Sequence, residues 1–107
     1  MTMKKGDCFL AAARYVLAHH GSRLVHGVAT GRGPIAGIVH LHAWVERGET
    51  CIEVANGKHI ELPKPFYYAI GNIKKTRTYT WRDVIQETVL TGHYGPWDKE
   101  LSDECGT

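Results

Sequence analysis

A thiol, an imidazole and a carboxylate fall in that order along the chain, at Cys8, His42 and Glu53. A thiol attacks a carbonyl carbon as thiolate, and a free pKa of about 8.5 leaves little thiolate at neutral pH. Cys8 stands at the predicted start of a helix, in Gly6-Asp7-Cys8-Phe9-Leu10. A helix N-terminus carries roughly half a positive charge and a set of free N–H groups, and both favour the anion. A neighbouring imidazole can take the thiol proton and later hand it to a leaving group. A carboxylate on the far ring nitrogen fixes the tautomer and stabilises the imidazolium. Together the three point to acyl transfer through sulfur. A free cysteine is also a common inert core residue, so the chemistry hinges on the elements that place the three groups.

Phe9, Ala12, Ala13, Val16 and Leu17 recur at helical spacing. With Asp7 as N-cap and Gly21 as stop, they predict a helix over about 8–20. Residues 22–29 read as a strand, and 30–37, with three glycines and a proline, as a loop. That loop lacks the Lys-Ser/Thr ending of a phosphate cradle. Residues 38–46 form the strongest strand, and 50–55 return antiparallel after the turn Arg47-Gly48-Glu49. Side chains alternate on a strand, so His40, His42, Trp44 and Glu46 share one face, and Leu41, Ala43 and Val45 the other. The histidine face is expected to meet the first helix near Cys8. Asn56-Gly57 is a hairpin-turn dipeptide. A short strand over 58–62 follows, ended by Pro63 and Pro65. Residues 66–70 are a short strand or a helical turn, broken by Gly71-Asn72, and 74–79 an edge strand blunted by lysines. Thr80-Trp81-Arg82-Asp83 has the form of a capping box, with Asp for the usual Glu. It opens a helix whose Val84, Ile85, Thr88 and Val89 share a face and which Gly92 closes. Residues 93–97 read as a compact loop, and 102–107 as a polar, frayed end. The sum is an α+β fold: an N-terminal helix packed on an antiparallel sheet of about four to five strands, with a C-terminal helix.

The 107 residues suit a single domain, with an ordered core over about 6–98 and a flexible tail over 99–107. An apolar fraction of 43% supports one modest core. The net charge is +2 and the basic residues are scattered, which gives no footprint for nucleic acid. No apolar run approaches the roughly 18 residues of a membrane span, and Arg14 interrupts the only stretch resembling a signal peptide. Three cysteines, an odd number at irregular spacing, argue against a disulfide framework and for a reducing, cytoplasmic setting. Seven histidines invite a metal, but neither C-x-x-C nor H-E-x-x-H is present, so neither a metal nor another cofactor is expected.

His42-Ala43-Trp44-Val45-Glu46, with the cysteine-led helix and the strand Leu24-Val25-His26-Gly27-Val28, resembles transglutaminase-like and papain-like cysteine peptidases. The H-A-W-V-E run is similar to the histidine motif of bacterial transglutaminase-like proteins, including the leader peptidases of lasso-peptide biosynthesis. Asn56-Gly57, Tyr67-Tyr68 and the run from Gly92 to Asp98 also resemble features of short bacterial and phage proteins. The resemblance to the superfamily covers roughly residues 6–62 and implies a minimal papain-like/transglutaminase-like core. It implies Cys8 as nucleophile, His42 rather than His40 as base, and an acid on the next strand. That acid is Asp in the group; Glu53 occupies its place here, one methylene longer. Asn56 is the rival third member, since amides fill the role in papain-like enzymes, though before Gly57 it also reads as a turn residue with positive φ. No Gln precedes Cys8, so a papain-type side-chain oxyanion donor is missing; the Cys8 N–H can supply one donor.

The expected function is a thiol-dependent amide hydrolase or acyltransferase acting on a peptide or protein. Trp44, Tyr67, Tyr68, Asn56 and the 30–37 loop would border its substrate cleft. The alternative is a non-catalytic phage or mobile-element binding protein on the same fold, sequestering a host protein or small ligand. Geometry separates the two: an enzyme holds the Cys8 sulfur near His42 beside an open cleft.

Overall fold

Helical spacing of apolar residues at one end of the chain, and alternation in its middle, build two kinds of element that pack on each other. The computed structural model describes residues 7–31, 34 and 36–105. In chain order the elements are α1 (Asp7–Ala18), β1 (Arg23–Thr30), β2 (Val39–Arg47), β3 (Thr50–Glu53), a 3-10 turn (Ala55–Gly57), β4 (Ile60–Pro63), α2 (Lys64–Gly71), β5 (Thr76–Tyr79), α3 (Trp81–Thr91) and α4 (Lys99–Glu104). The five strands form one antiparallel sheet in the order β4-β3-β2-β1-β5. The architecture is α+β, with α1 packed on the sheet and a helix at the C-terminal end.

Local signals set several boundaries. The capping box at Thr80 is complete: Asp83 N–H donates to Thr80 Oγ1 (3.1 Å) and Thr80 N–H to Asp83 Oδ2 (3.0 Å). Gly92, in the left-handed region, ends α3. The 66–70 run, ambiguous in sequence, is helical. Pro65 sits in the first turn of α2, where its missing N–H would have had no partner. Residues 99–107, expected as a loose tail, instead carry α4 over Lys99–Glu104. Asp98 Oδ1 accepts the Glu100 and Leu101 N–H groups (2.9 and 3.2 Å), and Leu101 is buried. Residues 106 and 107 lie outside the described ones.

The sheet is covered on both sides, and this reverses the expected facing of β2. The aliphatic residues Ala43 and Val45 join Leu24 and Ile52 against Phe9, Ala12, Ala13 and Val16 of α1. The opposite face, with Val25, Trp44 and Cys51, is covered by Tyr67 and Tyr68 of α2 and by Ile73. So the histidine face of β2 meets α2, not the body of α1. The aliphatic set gains more from the larger apolar layer, while the aromatic helix suits a face that carries Trp and carboxylates. Gly27 makes room on that second face: a Cβ there would lie 2.5 Å from the Trp44 ring. α3 also departs from expectation. Val84 is buried, but Ile85 is exposed and Val89 is 76% exposed. Positions 84, 85, 88 and 89 span more of the helix than one contact line covers, and the line through Val84 faces the core.

Candidate active site

The N-terminus of α1 is pinned to the 3-10 turn rather than capped by its own residue. Asp7 Oδ2 accepts the Asn56 N–H at 2.6 Å. Asp7 therefore opens the helix with its carboxylate turned to another segment, not to the first-turn amides. Asn56 makes this possible by adopting a left-handed conformation (φ 56°, ψ 37°), which asparagine tolerates better than most residues. The sheet is incomplete at the same place. β1 pairs with β2 along its whole length, but β3 pairs with it only from Val45 to Arg47. Beyond Val45, β2 has no β3 partner, and β3 has already turned away at Glu53 into the 3-10 turn. Cys8 and His42, which start on opposite faces, come near each other at this end of the sheet, close enough for Cys8 to favour the charged imidazole.

His42 lies between two partners. Its Nε2–H donates to Glu53 Oε1 at 2.8 Å, and Cys8 lies near enough to favour the charged ring. Burial favours the neutral ring, but the hydrogen bonds to Cys8 and Glu53 and their charges outweigh it and raise the His42 pKa to about 9. Glu53 is itself held. Tyr67 O–H donates to Oε1 at 2.7 Å and the Ala55 N–H to Oε2 at 3.3 Å. Burial raises the Glu53 pKa, yet the bonds from His42, Tyr67 and Ala55, with the His42 charge, bring it below its ordinary value. Burial and the Glu53 charge push the Tyr67 phenol far upward, so it stays a donor. The longer side chain of Glu thus reaches the imidazole with both its oxygens engaged.

A cleft of about 250 Å³ opens beside this pair. His42 and Glu53 form part of its wall, with the aliphatic side chains of Ile60, Leu62, Ile70 and Ile73 beside them. Tyr67 borders it, as expected from sequence, and so do His40 and Thr30. Other expected cleft residues lie elsewhere. Trp44 is fully buried between Tyr67 and Tyr68 (ring centroids 5.3 and 5.8 Å) and cannot meet a substrate. Tyr68 turns to Glu46, donating to Oε2 at 2.6 Å. Asn56 is exposed on the 3-10 turn, and its contribution is the backbone bond to Asp7, not a third triad position. Of the 30–37 loop, Arg32, Gly33 and Ile35 lie outside the described residues.

Two buried polar groups escape the sequence pattern. Glu46, expected only as a strand residue, is buried and accepts from Trp44 Nε1 (3.0 Å), Tyr68 O–H and the Cys51 thiol (3.7 Å), with Lys64 Nζ at 3.3 Å. Burial, then the Glu46 charge, push the Cys51 thiol up to about 12. His26 of β1 is fully buried and neither ring nitrogen has a protein partner. Alternation placed Glu46 on the histidine face, but nothing local shows which partners converge on it. All three cysteines are free thiols, and no group of three metal-ligating side chains gathers among the described residues. No helix among them is long and apolar enough to cross a membrane. No protein-family model, curated protein or solved structure matches this chain.

Proposed function

We propose that this chain is a thiol-dependent amide hydrolase or acyltransferase of the transglutaminase-like and papain-like kind, acting on a peptide or protein in a reducing, cytoplasmic setting. The observation that carries it is the imidazole of His42, hydrogen-bonded to Glu53 and near enough to Cys8 for the sulfur to favour its charged form. With its proton already held by His42 Nδ1, Cys8 Sγ attacks the carbonyl carbon as thiolate. The tetrahedral adduct collapses to a thioester as His42 gives that proton to the departing amine. Water or a second amine then attacks the thioester, His42 takes the attacking group's proton, and Cys8 leaves as the thiolate beside the imidazolium. Glu53 keeps the Nε2 proton in place throughout and offsets the imidazolium charge. The Cys8 N–H, at the start of α1, is one donor to the developing oxyanion.

The test is a burst assay with p-nitrophenyl acetate, with mass mapping of the acetylated residue. Wild type is expected to release one rapid equivalent of nitrophenolate and to carry acetyl on Cys8. Cys8→Ser and His42→Ala should lose the burst. An equal burst in all three proteins, or acetylation elsewhere, contradicts the proposal.

A further inference from the structure

The cleft beside His42 has a wall that selects for one kind of side chain. Ile60, Leu62, Ile70 and Ile73 line it, and Glu53 is the only carboxylate in that wall among the described residues. Both oxygens of Glu53 are engaged, Oε1 by His42 and Tyr67 and Oε2 by the Ala55 N–H. A charged side chain entering the cleft would lose its water and, among the described residues of the wall, meet only the charges of His42 and Glu53, which are already paired with each other; that is unfavourable. An apolar side chain would lose nothing and cover apolar surface. The volume of about 250 Å³ falls below the roughly 300–1,000 Å³ of pockets that hold a whole ligand. It suits one leucyl or phenylalanyl side chain. Its position matters as much as its size. It shares His42 and Glu53 with the proposed reaction centre, while Cys8 is outside its wall. An occupant's side chain can therefore fill the cleft while its backbone passes over the imidazole to the sulfur. The imidazole of His40 stands at the same cleft, with Nδ1 bonded to the Ile38 carbonyl (3.3 Å) and Nε2 left to meet a polar backbone. Two further isoleucines of the wall, Ile60 and Ile70, are 45% and 37% exposed, so apolar surface extends to the mouth.

We infer that this cleft is the specificity pocket of the enzyme, and that the substrate is a peptide amide bearing a bulky aliphatic or aromatic side chain close to the reacting carbonyl. The inference rests on the acyl-transfer function proposed above.

Chloromethyl ketones test it, because the Cys8 sulfur displaces chloride to form a stable thioether and no amide need be cleaved. The panel is acetyl-Xaa-Gly- and acetyl-Gly-Xaa-chloromethyl ketone, with Xaa as Gly, Leu, Phe, Asp or Lys. The rate of Cys8 labelling is read by mass mapping and divided by the same protein's rate with iodoacetamide, so that a general change in Cys8 reactivity cancels. In one of the two series, Leu or Phe is expected to label about ten- to hundred-fold faster than Gly, Asp or Lys. In Ile60→Asp and Ile70→Asp that preference should fall to within about two- to threefold of unity. If Cys8 reacts readily with iodoacetamide but treats all side chains alike, the pocket assignment is wrong and the acyl-transfer function stands. A preference that survives both substitutions also overturns the assignment, because the side chain is then held elsewhere. A Cys8 no more reactive than a free thiol toward iodoacetamide removes the acyl-transfer function and the pocket's role with it.

Discussion

His42 and His26 lie one step apart in the β1–β2 ladder, where Gly27 faces His42 and His26 faces Ala43. They occupy opposite faces of the sheet, and both rings are largely withdrawn from water. His42 has a carboxylate on one nitrogen and Cys8 nearby, and its pKa rises to about 9. His26 is instead packed among rings, Phe9 and Tyr79 at 4.9 Å and Trp97 at 5.3 Å. Gly95 packs so closely that a Cβ there would lie 2.8 Å from His26 Cε1. Burial lowers the His26 pKa to about 4, and the charge of Asp98 offsets only part of that. Similar burial thus gives opposite charge states at neutral pH. Partners, not depth, decide whether a buried imidazole is a base already holding its proton or an inert ring.

The largest contrast is in titration. Proton NMR of the two imidazoles should place His42 near pH 9 and His26 near pH 4. Midpoints that both lie near the ordinary 6.5 would dissolve the comparison.

The second effect is on stability. A folded-state pKa below the unfolded value of about 6.5 means that the unfolded chain binds more protons between pH 6.5 and 4. His26 therefore destabilises the fold progressively as pH falls through that window, by about 3 kcal/mol in all. His26→Leu should flatten the acid limb of a urea-denaturation profile by roughly that amount, whatever its packing offset at pH 7. An acid limb unchanged by the substitution would show that His26 finds a partner. His42 has the opposite sign. Its raised pKa contributes stability that is fully present below about pH 6.5 and is lost as pH rises through 9.

Smaller effects sharpen the His42 side. Glu53→Gln keeps an acceptor for Nε2–H but removes the charge, and should lower the His42 midpoint by about one to two pH units. Tyr67→Phe removes one of three bonds to Glu53. It should raise the Glu53 midpoint by about half a unit and leave that of His42 nearly unchanged. A Tyr67→Phe effect as large as that of Glu53→Gln would mean that the phenol, not the carboxylate charge, governs the imidazole.

What the sequence discloses is uneven, for physical reasons. The first helix, the β2–β3 hairpin, the capping box at Thr80 and the stop at Gly92 are local signals, and each lies where periodicity and turn chemistry place it. The order Cys8, His42, Glu53 marks three residues that the fold brings to one end of the sheet. The partners of buried groups are not local. Nothing near Asp7 shows that its carboxylate goes to Asn56, or near Tyr67 and Tyr68 that each finishes on a different glutamate. Trp44 illustrates the limit. Alternation assigned it to the histidine face, yet only the path of α2 decides that this face is closed over Trp44 and open beside His42.

The central claim is that His42 activates Cys8. The direct measurement is the rate of Cys8 carboxamidomethylation by iodoacetamide from pH 5 to 10, in Cys105→Ser protein with and without His42→Ala, assigned by mass mapping. At pH 6 the protein with His42 is expected to react at least about ten times faster than the variant, because the imidazolium holds the reactive sulfur anion. The two rates should converge as pH rises past 9. Equal rates at every pH would show a thiol indifferent to its neighbour, and would contradict the account.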